Sequence, residues 1–150
     1  MAYRTVLSKG EPVQYEFEAG GTITPGMLVK IGTDNKAVVH PTAAGNAEKL
    51  FALENKNVGK DIADDYASGD QVLVGAFHSG QEVIARIENG ENIAIGQALE
   101  SNGAGFLQAH VLDSTGIYYH DVIVGYAAEA KDMSGSDLAD PSNLCRVRIA

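Results

Sequence analysis

The sequence predicts an all-β chain folded as a compact barrel or sandwich with little helix. Three observations carry this. No longer segment holds apolar residues at the 3.6-residue period of a surface helix. Short runs of alternating or continuous apolar residues recur between clusters of Gly, Asn, Asp and Pro, as in strands joined by tight turns. Seventeen glycines and no tryptophan among 150 residues suit a chain with many such turns.

Residues 1–17 read as an N-terminal arm or a first strand, and residues 18–150 as one β domain. Tyr3, Thr5 and Leu7 alternate with smaller or polar residues. Val13, Tyr15 and Phe17 share one face, opposite Gln14, Glu16 and Glu18. Met27–Ile31 is a short strand. Gly32-Thr33-Asp34-Asn35 turns it into Ala37–His40, which stops at Pro41. Residues 42–50 have room for one helical turn, and Phe51–Leu53 resumes as strand. Asp61–Tyr66 is either a short helix or an acidic loop.

Gln71–Phe77 is the clearest strand. Val72, Val74 and Ala76 point one way and Leu73 and Phe77 the other, so the strand is central. After the loop His78-Ser79-Gly80-Gln81 comes Glu82–Glu88. There Val83, Ala85 and Ile87 point inward and Glu82, Arg86 and Glu88 outward, with Ile84 breaking the pattern. Gln97–Ser101 and Phe106–Val111 form a hairpin about Gly103-Ala104-Gly105. Val122–Tyr126 is a second buried strand, and Lys131–Asn143 is a polar loop. In the closing strand, Cys145–Ile149, Cys145, Val147 and Ile149 alternate with Arg146 and Arg148. Val72, Val74, Val83, Ile87, Val122, Val124 and Val147 are the expected core.

Two stretches match at an offset of seventy. Gly20, Ile23, Gly26, Val29 and His40 fall opposite Gly90, Ile93, Gly96, Leu99 and His110. Each block reads as a loop, a glycine turn, a strand, a polar turn and a second strand. Five positions fit either a duplication or convergent hairpin chemistry.

Charge and composition narrow the function classes. The net charge is −9, with 11 Lys+Arg against 20 Asp+Glu. Nucleic-acid affinity rests largely on Lys and Arg neutralising phosphates, so no nucleic-acid partner is expected. No stretch approaches the roughly 20 apolar residues of a membrane-spanning helix, and no secretory signal is visible. A single cysteine, Cys145, fits synthesis in a cytoplasm.

Chemical motifs are missing. His40, His78, His110 and His120 lack zinc-site spacing. Asp61, Asp64 and Asp65 lack the alternating oxygens of a calcium loop. No P-loop, GxSxG elbow or GxGxxG occurs. Ser68-Gly69-Asp70-Gln71-Val72 is superficially similar to a strand of the trimeric dUTP-hydrolysing enzymes, but their catalytic Asp turn and Gly-rich lid are absent. A carbohydrate-binding module would use exposed aromatics, for which Tyr118-Tyr119 is the best pair. The expectation is therefore no enzyme, no cofactor and no metal.

Ala19-Gly20-Gly21-Thr22-Ile23-Thr24-Pro25-Gly26-Met27-Leu28-Val29, Tyr66-Ala67-Ser68-Gly69-Asp70-Gln71-Val72-Leu73-Val74 and Gly80-Gln81-Glu82-Val83-Ile84-Ala85-Arg86-Ile87 resemble segments of the small capsid decoration, or cement, proteins of tailed bacteriophages. The resemblance spans residues 17–150 in element order and turn spacing. It implies a β-barrel-like domain with a flexible N-terminal arm and no catalytic residues. It also implies a homotrimer on the outer surface of the virion that staples neighbouring major capsid subunits. On that reading Tyr3, Arg4, Val6, Leu7, Val13, Tyr15 and Phe17 are candidate anchors, and the backbone around Arg4–Leu7 could add a strand to a capsid sheet. Arg146 and Arg148 either pair with acids of a neighbouring subunit or guard a solvated sheet edge.

Overall fold

The computed structural model of the chain describes residues 3–111, 121–135 and 143–150. It is all-β. The strands are β1 (Leu7–Lys9), β2 (Val13–Ala19), β3 (Val29–Ile31), β4 (Lys36–Val39), β5 (Leu50–Ala52), β6 (Gln71–Ala76), β7 (Glu82–Arg86), β8 (Asn92–Ile93), β9 (Ala98–Ser101), β10 (Leu107–Ala109), β11 (Gly125–Ala127), β12 (Lys131–Asp132) and β13 (Leu144–Ile149). One short 3-10 turn covers Lys56–Val58.

These strands build the same ring twice. In the first, β2 pairs with β6, β6 with β5, and β3 with β4. A bridge between Leu28 and Phe51 joins β3 to β5. The ring closes where β4 runs parallel to β2 at Glu18↔Lys36 and Ala19↔Ala37. In the second ring β7, β13, β11, β9 and β10 follow the same order. That ring closes through a parallel bridge between Ile87 and Leu107.

The register repeats residue by residue. Val29↔Val39 and Ile31↔Ala37 in the first ring match Leu99↔Ala109 and Ser101↔Leu107 in the second. Tyr15↔Val74 and Phe17↔Val72 match Val83↔Val147 and Ala85↔Cys145. Gly20 N–H donates to Ala37 O at 2.8 Å, and Glu88 N–H to Leu107 O at 2.9 Å. The seventy-residue echo is thus the visible part of a repeat that runs through the whole fold.

Turn chemistry enforces the hairpins. Gly26 and Gly96 sit at φ 91 and 83, the left-handed region where a Cβ is strained. Their amides donate to Ala52 O and Ala127 O at 2.9 and 2.8 Å. A Cβ on Gly96 would meet nothing within 4 Å, whereas one on Gly26 would lie 3.1 Å from Ile84 O. Gly96→Ala should therefore cost about 1 kcal/mol from backbone strain alone, and Gly26→Ala distinctly more. Urea titration of both variants checks the order.

Two apolar clusters fill the structure. Val29, Ala37, Leu50, Ala52, Val72 and Val74 belong to the core of the first ring. The larger cluster joins the second ring's Val83, Ile87, Leu99, Leu107 and Val147 to Leu28, Phe51, Leu73 and Phe77 from the first half. β6 therefore carries one cluster on each face, which explains its two apolar faces. All seven expected core residues are buried. Val122, Ile123 and Val124 are buried but lie before β11 rather than in it. Residues 42–50 and 61–66 contain no helix.

β7 departs from the expected pattern. Glu82 and Arg86 are buried, not outward, because β7 is covered on both faces. The Arg86 guanidinium reaches into the first half. It donates to Pro25 O at 2.8 Å and Ile62 O at 2.8 Å, and to Asn143 Oδ1 at 3.1 Å. Such a three-way set of acceptors is what a buried guanidinium needs to offset its lost hydration.

Candidate docking surface

The N-terminal segment is built into the domain. Leu7 and Lys9 pair with Val83 and Glu82, so β1 extends the second ring's sheet at the edge of β7. Val6 is fully buried; its N–H donates to Glu54 Oε2 at 2.9 Å and its carbonyl accepts from Ile84 N–H at 2.8 Å. Arg4 O accepts from Ile62 N–H at 3.1 Å, while its side chain is exposed, 3.8 Å from Asp61. Tyr3 Oη donates to the Glu129 carboxylate at 2.8 Å. The segment thus straps the first half, through Glu54 and Ile62, to the second, through Val83, Ile84 and Glu129. Val6 was expected to anchor a partner; it is a core residue of this chain, because its backbone and side chain are both consumed internally.

Glu54 and Glu129 occupy matching places in the two rings. Beside them Leu53 N–H donates to Leu73 O, and Ala128 N–H to Arg146 O, both at 2.8 Å. Sequence reasoning missed this pair. The signal was present: Phe51-Ala52-Leu53-Glu54-Asn55-Lys56 and Tyr126-Ala127-Ala128-Glu129-Ala130-Lys131 share Ala, Glu and Lys in step.

Arg146 is half-buried at the same strap. Its N–H donates to Glu129 Oε1 at 2.9 Å and its guanidinium to Ala128 O at 3.4 Å. Tyr3 and Arg146 are therefore brought together, around one internal carboxylate. Burial, then the Glu129 hydrogen bond, push the Tyr3 hydroxyl up to about 12. Arg148 is exposed and pairs with Tyr126 across to β11; both line a shallow cleft with Lys49 and Ile123. β13 lies between β7 and β11, so the arginines do not guard a sheet edge.

Exposed apolar residues lie elsewhere. Val58, Ile95 and Val111 are exposed in turns and loops, and on a strand Val13 and Tyr15 of β2 are each 47% exposed. Tyr15 and Phe17 stack at 6.1 Å between ring centroids. Phe17, Ile31, Val39 and Ala76 pack half-exposed on the first ring's core. Among the described residues, 13–17 pair with β6 alone, since β4 joins β2 at Glu18 and Ala19. This open edge, with its aromatic and aliphatic side chains, is the part of the described surface best fitted to receive another chain.

His40, His110 and Cys145 are locked inward, whereas His78 is exposed in its loop. His40 is buried, with its ring nitrogens 2.7 Å from Ser101 Oγ and 2.9 Å from Asn46 O. His110 Nδ1 lies 2.9 Å from Glu100 Oε2. The two histidines thus attach to adjacent residues of β9 and not to each other. No group of His, Cys, Asp and Glu that could hold a metal occurs among the described residues. Cys145 is buried, and that burial pushes its thiol up to about 12. At pH 8 the thiolate needed for alkylation is scarce. Cys145 should react with a maleimide only as the protein unfolds; labelling of native protein within minutes would contradict this burial. Tyr118, Tyr119 and His120 lie outside the described residues.

No protein-family model matches the sequence. Comparison with curated proteins finds no match. Among solved structures, the fold is similar to that of the head fiber gp8.5 N base of bacteriophage phi29. The TM-score is 0.56 at 14% identity, over 92% of this chain and 93% of that one.

Proposed function

We propose that this chain is a structural protein of a tailed-phage head, bound to the outer surface of the capsid, where it reinforces the shell by bridging adjacent major capsid subunits. The observation that carries the reading is the likeness of fold to the phi29 head fiber base, which covers nearly all of both chains. The sequence resemblance to decoration proteins points the same way. His40, His110 and Cys145 are engaged or buried internally, which suits a scaffold that presents a surface. A net charge of −9 keeps such a protein off packaged DNA.

A homotrimer fits this role. Three linked copies raise the effective concentration of the second and third contacts, so individually weak interfaces suffice. The test is co-sedimentation with emptied heads of the phage that encodes the chain. Binding should saturate at a fixed ratio to capsid subunits and raise the temperature at which heads disrupt. Free protein left entirely in the supernatant at tens of micromolar would overturn the proposal.

A further inference from the structure

The two rings share their strand order and register but differ at the outer edge of their first strand. In the second ring, the strand slot beside the first half of β7 is filled by β1, with Leu7 opposite Val83 and Lys9 opposite Glu82. By the shared register, Tyr15 stands where Val83 stands and Glu16 where Ile84 stands. Ile84 N–H donates into β1, to Val6 O at 2.8 Å. Among the described residues no strand lies along residues 13–17 on the corresponding side. The chain has one N-terminal strand and two slots that could hold it.

We infer that the open edge of β2, Val13–Phe17, is a strand-acceptor site, completed by an extended segment of the major capsid subunit. This rests on the capsid-binding reading. The filled slot is a precedent for strand addition: β1 lays Leu7 opposite Val83 and, past a register irregularity, brings Lys9 within 3.8 Å of Glu82 Oε2. On β2 the outward side chains are Gln14, Glu16 and Glu18, all exposed. Lys36 engages Glu18 at 3.1 Å, whereas Glu16 has no basic partner among the described residues. Charge complementarity with Glu16 therefore calls for an extended segment that carries a basic residue. A second copy of β2 would oppose these carboxylates with its own, so self-pairing is disfavoured. Main-chain hydrogen bonds would supply affinity, and Val13 and Tyr15 the apolar contact.

The test is hydrogen–deuterium exchange of the full-length protein, free and bound to emptied heads. Amides of peptides covering residues 13–17 should slow at least tenfold on binding, while those of β7 stay unchanged. Glu16→Pro removes the corresponding N–H from an edge position where proline is tolerated, and Glu16→Lys reverses the charge. Each should weaken head binding about tenfold or more while circular dichroism of the free protein is retained. Glu16→Lys provides the check if Glu16→Pro fails to fold. Wild-type protein that binds heads with no slowing at residues 13–17 would overturn the acceptor site alone. Wild-type protein that does not bind heads would overturn the capsid-binding reading and the acceptor site with it.

Discussion

Removing residues 3–9 should destabilise the protein by about 5 kcal/mol or more and lower Tm by well over ~10 °C, leaving a domain that is partly unfolded at 37 °C. The deletion takes the fully buried Val6 out of the core, worth about 1.5–3 kcal/mol in burial. It strips Glu54 of its Val6 N–H donor and Glu129 of the Tyr3 hydroxyl. Each of these carboxylates, Glu54 buried and Glu129 half-buried, adds about 1–3 kcal/mol when it loses its donor. β7 also loses its edge partner and the main-chain bonds of β1. A freely flexible arm would give the opposite result, an unchanged melt. Val6→Ala separates the terms, with an expected loss of about 2 kcal/mol from the cavity alone. Thermal melts followed by circular dichroism decide between the two pictures.

The second large effect is expected at Arg86. Arg86→Met keeps much of the side-chain volume but leaves Pro25 O, Ile62 O and Asn143 Oδ1 without their donors. The loss should be about 3–5 kcal/mol, because three buried acceptors lose their donor at about 1–3 kcal/mol each, partly offset by no longer burying a charge. Arg86→Lys should recover only part of it, because one ammonium cannot serve three acceptors fixed around a planar fork. In guanidinium titrations the midpoint should fall with little change in slope. A loss below about 1 kcal/mol for Arg86→Met would show that the two halves hold together without this contact.

Much of the fold was legible in the sequence because strand and turn chemistry is local. β6 was found from its apolar run, and the hairpins from Gly26, Gly96 and the polar turns after them. The repeat was legible only where loop lengths agree. β3 and β4 map onto β9 and β10 at a single offset. Elsewhere turns and loops differ in length, so β2, β5 and β6 match β7, β11 and β13 at other offsets and the echo fades. Side-chain size hides it further. The small Ala19 and Ala37 of one ring stand where Ile87 and Leu107 stand in the other, while Phe17 stands where Ala85 stands. Each interior is filled by a different division of volume.

The surface was less legible. Tyr3, Val6 and Arg146 carry the residue types of an interface, but a strap across one's own core needs the same types. What separates the two is Glu54 and Glu129, which lie 48 and 126 residues away from the groups they hold. Tyr15 and Phe17 do lie at a partly open face, yet sequence alone could not tell that β4 leaves the first half of β2 unpaired. That gap appears only when the two rings are laid over each other.

Cryo-electron microscopy of emptied heads saturated with the full-length protein tests the account most directly. The expected result is two-ring density on the outer surface, repeated at threefold or quasi-threefold positions, touching at least two neighbouring capsid subunits. Bare heads at saturating protein, or density resting on a single subunit, would contradict a protein that reinforces the shell by bridging it.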